Sequence, residues 1–372
     1  MRAAVVGSGG IAKIHARLIR ELGGEVVAVC GRTLASAGAL ECGTPYENLS
    51  AMLRAEAPEV VHVCTPNALH AEQAIAALDA GAHVVCEKPL ATSRDEALGM
   101  MEAAERAERI GAVAYTYRGY PLVQELRQAV RSGHFGTLRR VSGEYLSQDT
   151  FDAAKYQWHF TPGMAGPSYV LLDFGVHWLD LVEHVTGQPI VEIFAQLSTH
   201  QSRRVWRGGP GQGVRPAGAR QPDGGVAVDF GLDDQADVLI RLEGGAAGGA
   251  TITALSAGNP NHIVLSVDGS AGGFDWCQES PDVYVERADG EKTIRHRDPE
   301  RLPDDLGWMS AAPAGHPEGY LDAFRNVIRA AWSAMRGEPV DFPSFADGYR
   351  GVTLVEAALE SARRRRPVAT QE

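Results

Sequence analysis

The sequence predicts a two-domain α/β chain: a doubly wound parallel sheet first, then a domain with a large, mostly antiparallel open sheet. Three observations predict it. Short, near-continuous apolar runs alternate with helical patterns over the first 120 residues or so, the signature of a parallel sheet covered on both faces. A glycine-rich turn, Gly7-Ser8-Gly9-Gly10-Ile11-Ala12, joins the first of these strands to the first helix. Between Ala236 and Arg295 strand-like runs follow one another with no helical pattern between them, separated by Gly, Asn, Pro and Asp, as in an antiparallel sheet. A chain of 372 residues is also too long for one ordinary core.

In order, Ala3–Val6 reads as a strand and Ile11–Leu22 as a helix. Val26–Cys30 is a strand, and Pro45–Ala55 a helix capped by Thr44. Val60–Cys64 and His83–Cys86 are strands flanking the helix His70–Ala80, which Gly81 closes. Ser93–Ile110 is a long helix and Ala112–Tyr117 the last strand of this part. Right-handed crossovers make it a Rossmann domain over residues 1–120. The remainder, 121–372, is the substrate-binding and oligomerisation domain. It reads as a helix Pro121–Ser132, a strand Thr137–Leu146, a helix Val170–Thr186 and a strand Val191–Leu197. A Gly-, Pro- and Arg-rich loop, Gly208–Gly225, precedes the strand-rich stretch, and the helices Tyr320–Arg336 and Phe345–Arg365 close the chain. The last helix is expected to pack back on the first domain.

The net charge of −12 argues against nucleic acid as a partner, since binding phosphates needs clustered Lys and Arg. The one basic block, Arg363 to Arg366, sits at a helix C-terminus, where cations suit the dipole. Five cysteines, Cys30, Cys42, Cys64, Cys86 and Cys277, show no Cys-x-x-Cys pair, so a reducing compartment without disulfides is expected. No run of 18 apolar residues offers a membrane span, and the first strand begins too early for a signal peptide. A cytoplasmic protein is expected.

Four motifs carry chemistry. In the glycine turn, Gly7 permits the tight bend and Gly9 lets the backbone approach a pyrophosphate. Ala12 lets the helix pack closely, and the helix N-terminus faces the anion. At the end of the second strand, Cys30-Gly31-Arg32-Thr33 lacks the acid that an NAD enzyme places there. Arg32 and Thr33 suit a 2′-phosphate, so NADP is expected, with NAD as the alternative. Glu87-Lys88-Pro89-Leu90 follows the strand His83–Cys86, where ligands of such sheets bind, and Glu87 offers Lys88 a charge partner. Asp173, His177 and Asp180 stand at i, i+4 and i+7, with His184 continuing the stripe. A carboxylate one turn from a histidine orients it for general-base work. The same spacing equally suits a buried polar cluster or a metal site.

Taken in order, the motifs Gly7-x-Gly9-x-x-Ala12, Cys64-Thr65-Pro66-Asn67-x-x-His70, Glu87-Lys88-Pro89-Leu90 and Asp173-x-x-x-His177-x-x-Asp180 resemble the glucose–fructose oxidoreductase, inositol dehydrogenase and rhizopine-catabolism family, Gfo/Idh/MocA. His316-Pro317-Glu318-Gly319-Tyr320-x-x-Ala323-Phe324 is similar to one branch of it. The resemblance implies oxidation or reduction of sugar and cyclitol carbinols by homodimers or homotetramers. It implies that Lys88 is the catalytic lysine, His177 the acid–base residue and Asp173 the third member of the triad, with Asp180 on the substrate. It also implies that Thr65, Pro66, Asn67 and His70 line the cofactor, with Glu87 near the nicotinamide. Trp158 would be a cofactor-side tryptophan, although His159 stands where many relatives carry Arg.

The resulting mechanism puts a substrate hydroxyl between Lys88 and His177 and needs no metal. Three rivals use other chemistry: a non-catalytic NADP-binding protein on the same fold, an epimerase or eliminase with transient cofactor redox, and a metal-dependent lyase using Asp173, His177 and His184. Runs such as Ile252–Leu255 and Ile263–Val267 are apolar at both parities. The face of the open sheet away from the helices is therefore expected to be apolar enough to need a second subunit, unless the loop Gly208–Gly225 covers it.

Overall fold

The structure is a computed structural model describing residues 1–153, 156–161, 163–207, 225–303 and 306–370. Apart from Gly225, the expected loop Gly208–Gly225 lies outside the described residues. The chain forms two compact units. The first comprises Met1–Ala114, Thr161–Gly166 and Val327–Val352; the second comprises Tyr115–Phe160, Pro167–Asn326 and Thr353–Glu372.

The first unit runs β1 (Arg2–Val6), α1 (Gly10–Glu21), β2 (Glu25–Cys30), α2 (Leu34–Gly38), β3 (Thr44–Tyr46), α3 (Leu49–Glu56), β4 (Val60–Val63), α4 (His70–Asp79), β5 (His83–Cys86), α5 (Arg94–Ala107) and β6 (Gly111–Val113). The strands pair in the order β3-β2-β1-β4-β5-β6, all parallel. Val60, Val61 and Val63 are wholly buried, which is why these strands read as near-continuous apolar runs. The order reverses between β1 and β4, and such a reversal opens a crevice at the carboxyl ends of the strands. Three stretches differ from expectation: residues 34–38 form the unexpected helix α2, the strand expected over Ala112–Tyr117 ends at Val113 and gives way to a 3-10 turn over Thr116–Gly119, and residues 44–46 form a strand, so that the helix starts only at Leu49. Asn48, not Thr44, caps it, its side chain accepting from Ala51 N at 2.8 Å. β3 is the sheet's edge, where the N–H that Pro45 lacks is not needed. Late segments complete this unit. Trp332 lies over Gly24, where a Cβ would come within 2.5 Å of the indole, and Phe345 covers Gly111 in the same way at 2.4 Å.

The second unit contains α6 (Pro121–Arg131), β7 (Leu138–Leu146), α7 (Val176–Thr186), β8 (Ile190–Ser198), β9 (Arg203–Trp206), β10 (Val226–Asp229), β11 (Gln235–Leu242), β12 (Ala247–Thr253), β13 (His262–Gly269), β14 (Gly273–Cys277), β15 (Val283–Ala288) and β16 (Glu291–His296). The closing helices α8 (Tyr320–Met335) and α9 (Phe345–Arg364) cross the limits between the units' segments, and β17 (Val368–Ala369) ends the described chain. Nine strands pair in the order β16-β15-β14-β13-β7-β12-β11-β8-β17. Only β12 and β7 run parallel; the other neighbours are antiparallel. β9 and β10 form a separate antiparallel pair.

The helix expected over Val170–Thr186 is two pieces: a π-helical turn, Leu171–Gly175, and then α7. Its start is fixed by Asp233, which accepts from Ser168 Oγ at 2.8 Å and Val170 N at 3.0 Å. α7 lies close on the sheet because Gly143 has no side chain: a Cβ there would stand 2.3 Å from Trp178 Nε1. That nitrogen donates to Val264 O at 3.1 Å. The opposite face of the sheet is mainly polar, contrary to the apolar face expected. Asp268 pairs with Arg140 and Arg287, Arg287 with Asp275, and Arg241 with Glu192. Its exposed large apolar residues are Leu239 and Ile294. Apolar residues at both parities read as two apolar faces, but outward positions such as Val264 stand among polar and charged ones, Ser266, Asp268, Arg140 and Asp275.

Candidate active site

The first unit supplies a cradle at the end of β1. Gly7 has φ +119°, and a Cβ there would lie 2.4 Å from Cys64 O, so this turn accepts no side chain. At Gly9 and Gly10 a Cβ would meet nothing within 4 Å: the space above them is open. Gly9 gives α1 no side-chain cap, which leaves the first-turn N–H groups for an anion. Ala12 is fully buried, while Ser8 and Ile11 are half-buried at the rim. Open space over two glycines beside an uncapped helix end fits the pyrophosphate of a dinucleotide.

At the end of β2, Arg32 is exposed and makes no ion pair among the described residues. Thr33 is committed to α2: its hydroxyl accepts from Ser36 N, and its own N–H donates to Ser36 Oγ, both at 3.1 Å. Beyond β4, the Thr65 hydroxyl donates to Gln73 Oε1 at 2.6 Å, and Pro66 precedes a short 3-10 turn, Asn67–Leu69. Asn67 Nδ2 donates to Ala165 O at 3.1 Å. The two ring nitrogens of buried His70 stand 2.8 Å from the carbonyl oxygens of Pro89 and Thr65. This residue ties the β4 and β5 exits together, and burial lowers its pKa despite those carbonyls.

Beyond β5, Glu87 is buried and Lys88 half-buried, with a cis peptide between Lys88 and Pro89. His15 on α1 lies beneath them. His15 Nε2 is 3.0 Å from Glu87 Oε1, and His15 Nδ1 is 2.8 Å from His62 Nδ1. Burial, and then the nearby His15, hold the pKa of His62 well down. A neutral His62 can donate from Nδ1 to His15, leaving His15 Nε2–H to donate to Glu87. The second Glu87 oxygen accepts from the Lys88 backbone N–H at 3.2 Å.

The second unit supplies a histidine in an aromatic cage. His177, in the first turn of α7, is 5% exposed. The rings of Tyr117, Tyr115 and Tyr145 lie 4.8, 6.0 and 6.3 Å from it. Tyr117 and Tyr145 share a hydrogen bond of 2.7 Å, and Tyr145 donates to Asn261 Oδ1 at 2.7 Å. Asn261 Nδ2 in turn donates to Gln278 Oε1 at 3.0 Å. Burial raises the Tyr145 pKa well above its usual value, so its hydroxyl stays protonated. Asp173 sits in the π turn with Oδ1 3.7 Å from His159 Nε2, and His159 stacks on Trp158 at 3.6 Å. Both Asp180 oxygens face the guanidinium of buried Arg118, at 2.5 and 2.9 Å. His184 Nε2 accepts from Gln124 at 2.9 Å. That contact requires a neutral ring, in keeping with a pKa held well down by burial and three arginines.

Arg118, His15 and the tyrosines were not singled out from sequence. Tyr115, Tyr117 and Tyr120 do follow the last parallel strand directly, where its carboxyl end faces ligand, and that placement was their available signal.

Residues 1–115 match the model for "Oxidoreductase family, NAD-binding Rossmann fold", and residues 123–275 that for "GFO/IDH/MocA C-terminal domain". Levoglucosan dehydrogenase of Pseudarthrobacter phenanthrenivorans is 30% identical over 312 residues, covering 82% of this chain and 77% of that protein. The chain belongs to the Gfo/Idh/MocA oxidoreductase family. Solved Gfo/Idh/MocA-like structures agree over its whole length. An oxidoreductase domain protein from Kribbella flavida superposes with a TM-score of 0.86 at 28% identity, covering 100% of this chain and 99% of that one. An inositol dehydrogenase homolog from Azotobacter vinelandii, complexed with NAD+, gives 0.83 at 27%, covering 99% and 97%. This Gfo/Idh/MocA protein is therefore a nicotinamide-dependent enzyme of the dehydrogenase class acting on CH–OH groups.

Proposed function

We propose that this enzyme moves a hydride between nicotinamide and one carbinol carbon of a sugar, sugar derivative or cyclitol, with Lys88 and His177 at the reacting hydroxyl. The observation that carries the reading is His177 itself. It is a buried imidazole ringed by three tyrosines on the substrate unit of a Gfo/Idh/MocA chain, and that chain also carries Glu87-Lys88-Pro89 at the exit of β5. The substrate class follows the named activities of relatives on levoglucosan, D-glucosides and D-apiose.

In the oxidative direction His177 accepts the hydroxyl proton as the C–H bond gives up its electron pair. The Lys88 ammonium stabilises the oxygen on which negative charge grows, an interaction strongest in the transition state. Asp173 orients the acid–base centre, and Asp180, fixed by Arg118, shapes the substrate side. Nicotinamide, when bound, supplies the hydride acceptor or donor. Gly7, Ser8, Gly9, Gly10, Ile11 and Ala12 hold the pyrophosphate. Thr65, Pro66, Asn67, His70, Glu87 and Trp158 frame the dinucleotide. In reduction each proton runs the other way.

We assign NADP as the preferred cofactor on the exposed Arg32, with Thr33 contributing its backbone turn more than its hydroxyl. The working form is a homodimer or homotetramer. The reading is tested by offering the purified enzyme a panel of sugars and cyclitols with each oxidised cofactor and following reduced-nicotinamide absorbance. Turnover of no polyol with either cofactor would refute it.

A further inference from the structure

On the polar face of the open sheet, three neighbouring strands bring four ligand-type side chains together. His262 opens β13, Cys277 ends β14, and Glu279 follows in the turn after β14. In the β13–β14 ladder Val264 faces Cys277, and Gln278 N donates to Ile263 O at 3.0 Å. That register places residue 279 across from His262 and Cys277 diagonal to it on the same face, since side chains alternate along a strand. His262 Nδ1 lies 2.6 Å from Glu279 Oε2 and 3.8 Å from Cys277 Sγ, and the three ligand atoms all fall within 4.8 Å of one another. On β7, Glu144 approaches the other nitrogen of the ring, its Oε1 3.2 Å from His262 Nε2.

We propose that His262, Cys277 and Glu279 form a binding site for one zinc-class divalent cation, with Glu144 as the outer partner of the histidine and a fourth position open to water. The ligand set is that of a borderline metal: one thiolate, one imidazole and one carboxylate. The spacing fits. Bonds of about 2.0–2.3 Å in a tetrahedral shell put ligand atoms roughly 3.3–3.6 Å apart. The observed pairs bracket that range, and half-exposed side chains can close the remainder. Glu144 fixes the tautomer, holding Nε2–H so that Nδ1 turns its lone pair to the ion, the usual pairing of a metal-bound histidine with a carboxylate. Metal binding takes Cys277 as its thiolate. Binding therefore releases the thiol proton to solvent and is weaker at low pH.

The place of the site gives it a consequence. His262 adjoins Asn261, and Gln278 lies between Cys277 and Glu279. Asn261 and Gln278 hold the hydroxyls of Tyr117, Tyr145 and Tyr120 on the other face of the sheet. An ion clasping residues 262, 277 and 279 would brace the backbone that positions the tyrosines around His177.

The test is a cobalt(II) titration of the full chain after treatment with a chelator, repeated with Cys277→Ser and Glu279→Gln. One equivalent should produce a thiolate-to-cobalt charge-transfer band, and one equivalent of zinc should displace it. Cys277→Ser should lose the band, and Glu279→Gln should weaken binding about 10-fold or more, with both variants keeping the wild-type circular dichroism. Zinc should also raise the melting temperature of the wild type and not that of Cys277→Ser. No charge-transfer band in the wild type, or an equal band in Cys277→Ser, would overturn the proposal. A wild-type protein that binds cobalt without zinc competition would overturn it as well.

Discussion

His15 and Glu87, 72 residues apart in sequence, meet at 3.0 Å in the interior of the first unit. Glu87 is thereby held from below by α1 while its other oxygen takes the backbone N–H of Lys88. The pair makes His15 a positioning residue for the lysine. His15→Ala should destabilise the protein by roughly 1–3 kcal/mol, because it leaves a buried carboxylate short of a donor. It should lower kcat severalfold with little change in the KM for cofactor. His15→Gln, whose amide can still donate, should recover most of the turnover. Steady-state kinetics of the three proteins decide it: loss of stability with unchanged kcat would leave His15 a packing residue only.

Lys88→Ala and His177→Ala should each cut turnover by about 100- to 10,000-fold, the usual cost of losing acid–base help. Cofactor affinity should stay close to wild type, since the proposed role of both side chains is on the reacting hydroxyl. Nicotinamide fluorescence titration alongside kinetics checks this. A variant that keeps more than about a tenth of wild-type turnover contradicts the role assigned to that residue.

Arg32→Asp should weaken NADP far more than NAD. It removes the guanidinium exposed at the end of β2 and sets a carboxylate against the 2′-phosphate. Dissociation constants for both cofactors measure the ratio; NADP binding as tight as in the wild type removes the basis for the assignment.

Three buried histidines set the response to acid. Burial lowers the pKa of His70 below the ordinary 6.5 and holds those of His62 and His184 well below it. The native state therefore keeps these rings neutral while the unfolded chain protonates them. Stability is full above pH about 6.5 and falls as the pH drops through and below it, by up to about 1.4 kcal/mol per pH unit for each histidine. Urea midpoints measured down to mildly acidic pH should show this decline, and His184→Gln should make it shallower. A flat profile would contradict the buried neutral state.

The proposed homodimer or homotetramer requires pairing with a second copy. Light scattering at micromolar concentration should give at least twice the chain mass of 39.8 kDa. A clean monomer would refute that assembly.

The parallel sheet was legible because buried β-branched residues dominate its strands, and even the single polar residue of Val60–Val63, His62, is buried. The glycine turn was legible because geometry dictates it: only glycine clears Cys64 O at position 7. What escaped depended on partners distant in sequence or on backbone detail. The spacing of Asp173 and His177 looks α-helical, and nothing in residue type distinguishes the π turn that Leu171–Gly175 adopts. Thr44-Pro45 resembles a helix start, and only the neighbouring β2 shows it to be an edge strand. Arg118 carried no local signal, because its partner Asp180 is 62 residues away.

The first unit is not finished by its own strands. Trp332, over Gly24 and 6.0 Å from the His62 ring, and Phe345, over Gly111, belong to Val327–Val352, a segment translated only after most of the second unit. A nascent chain leaving the ribosome thus carries the cofactor half with part of its wall missing until residues 332–345 have emerged. A frameshift shortly before codon 345 would take Phe345 from that wall although every strand of the parallel sheet is encoded intact.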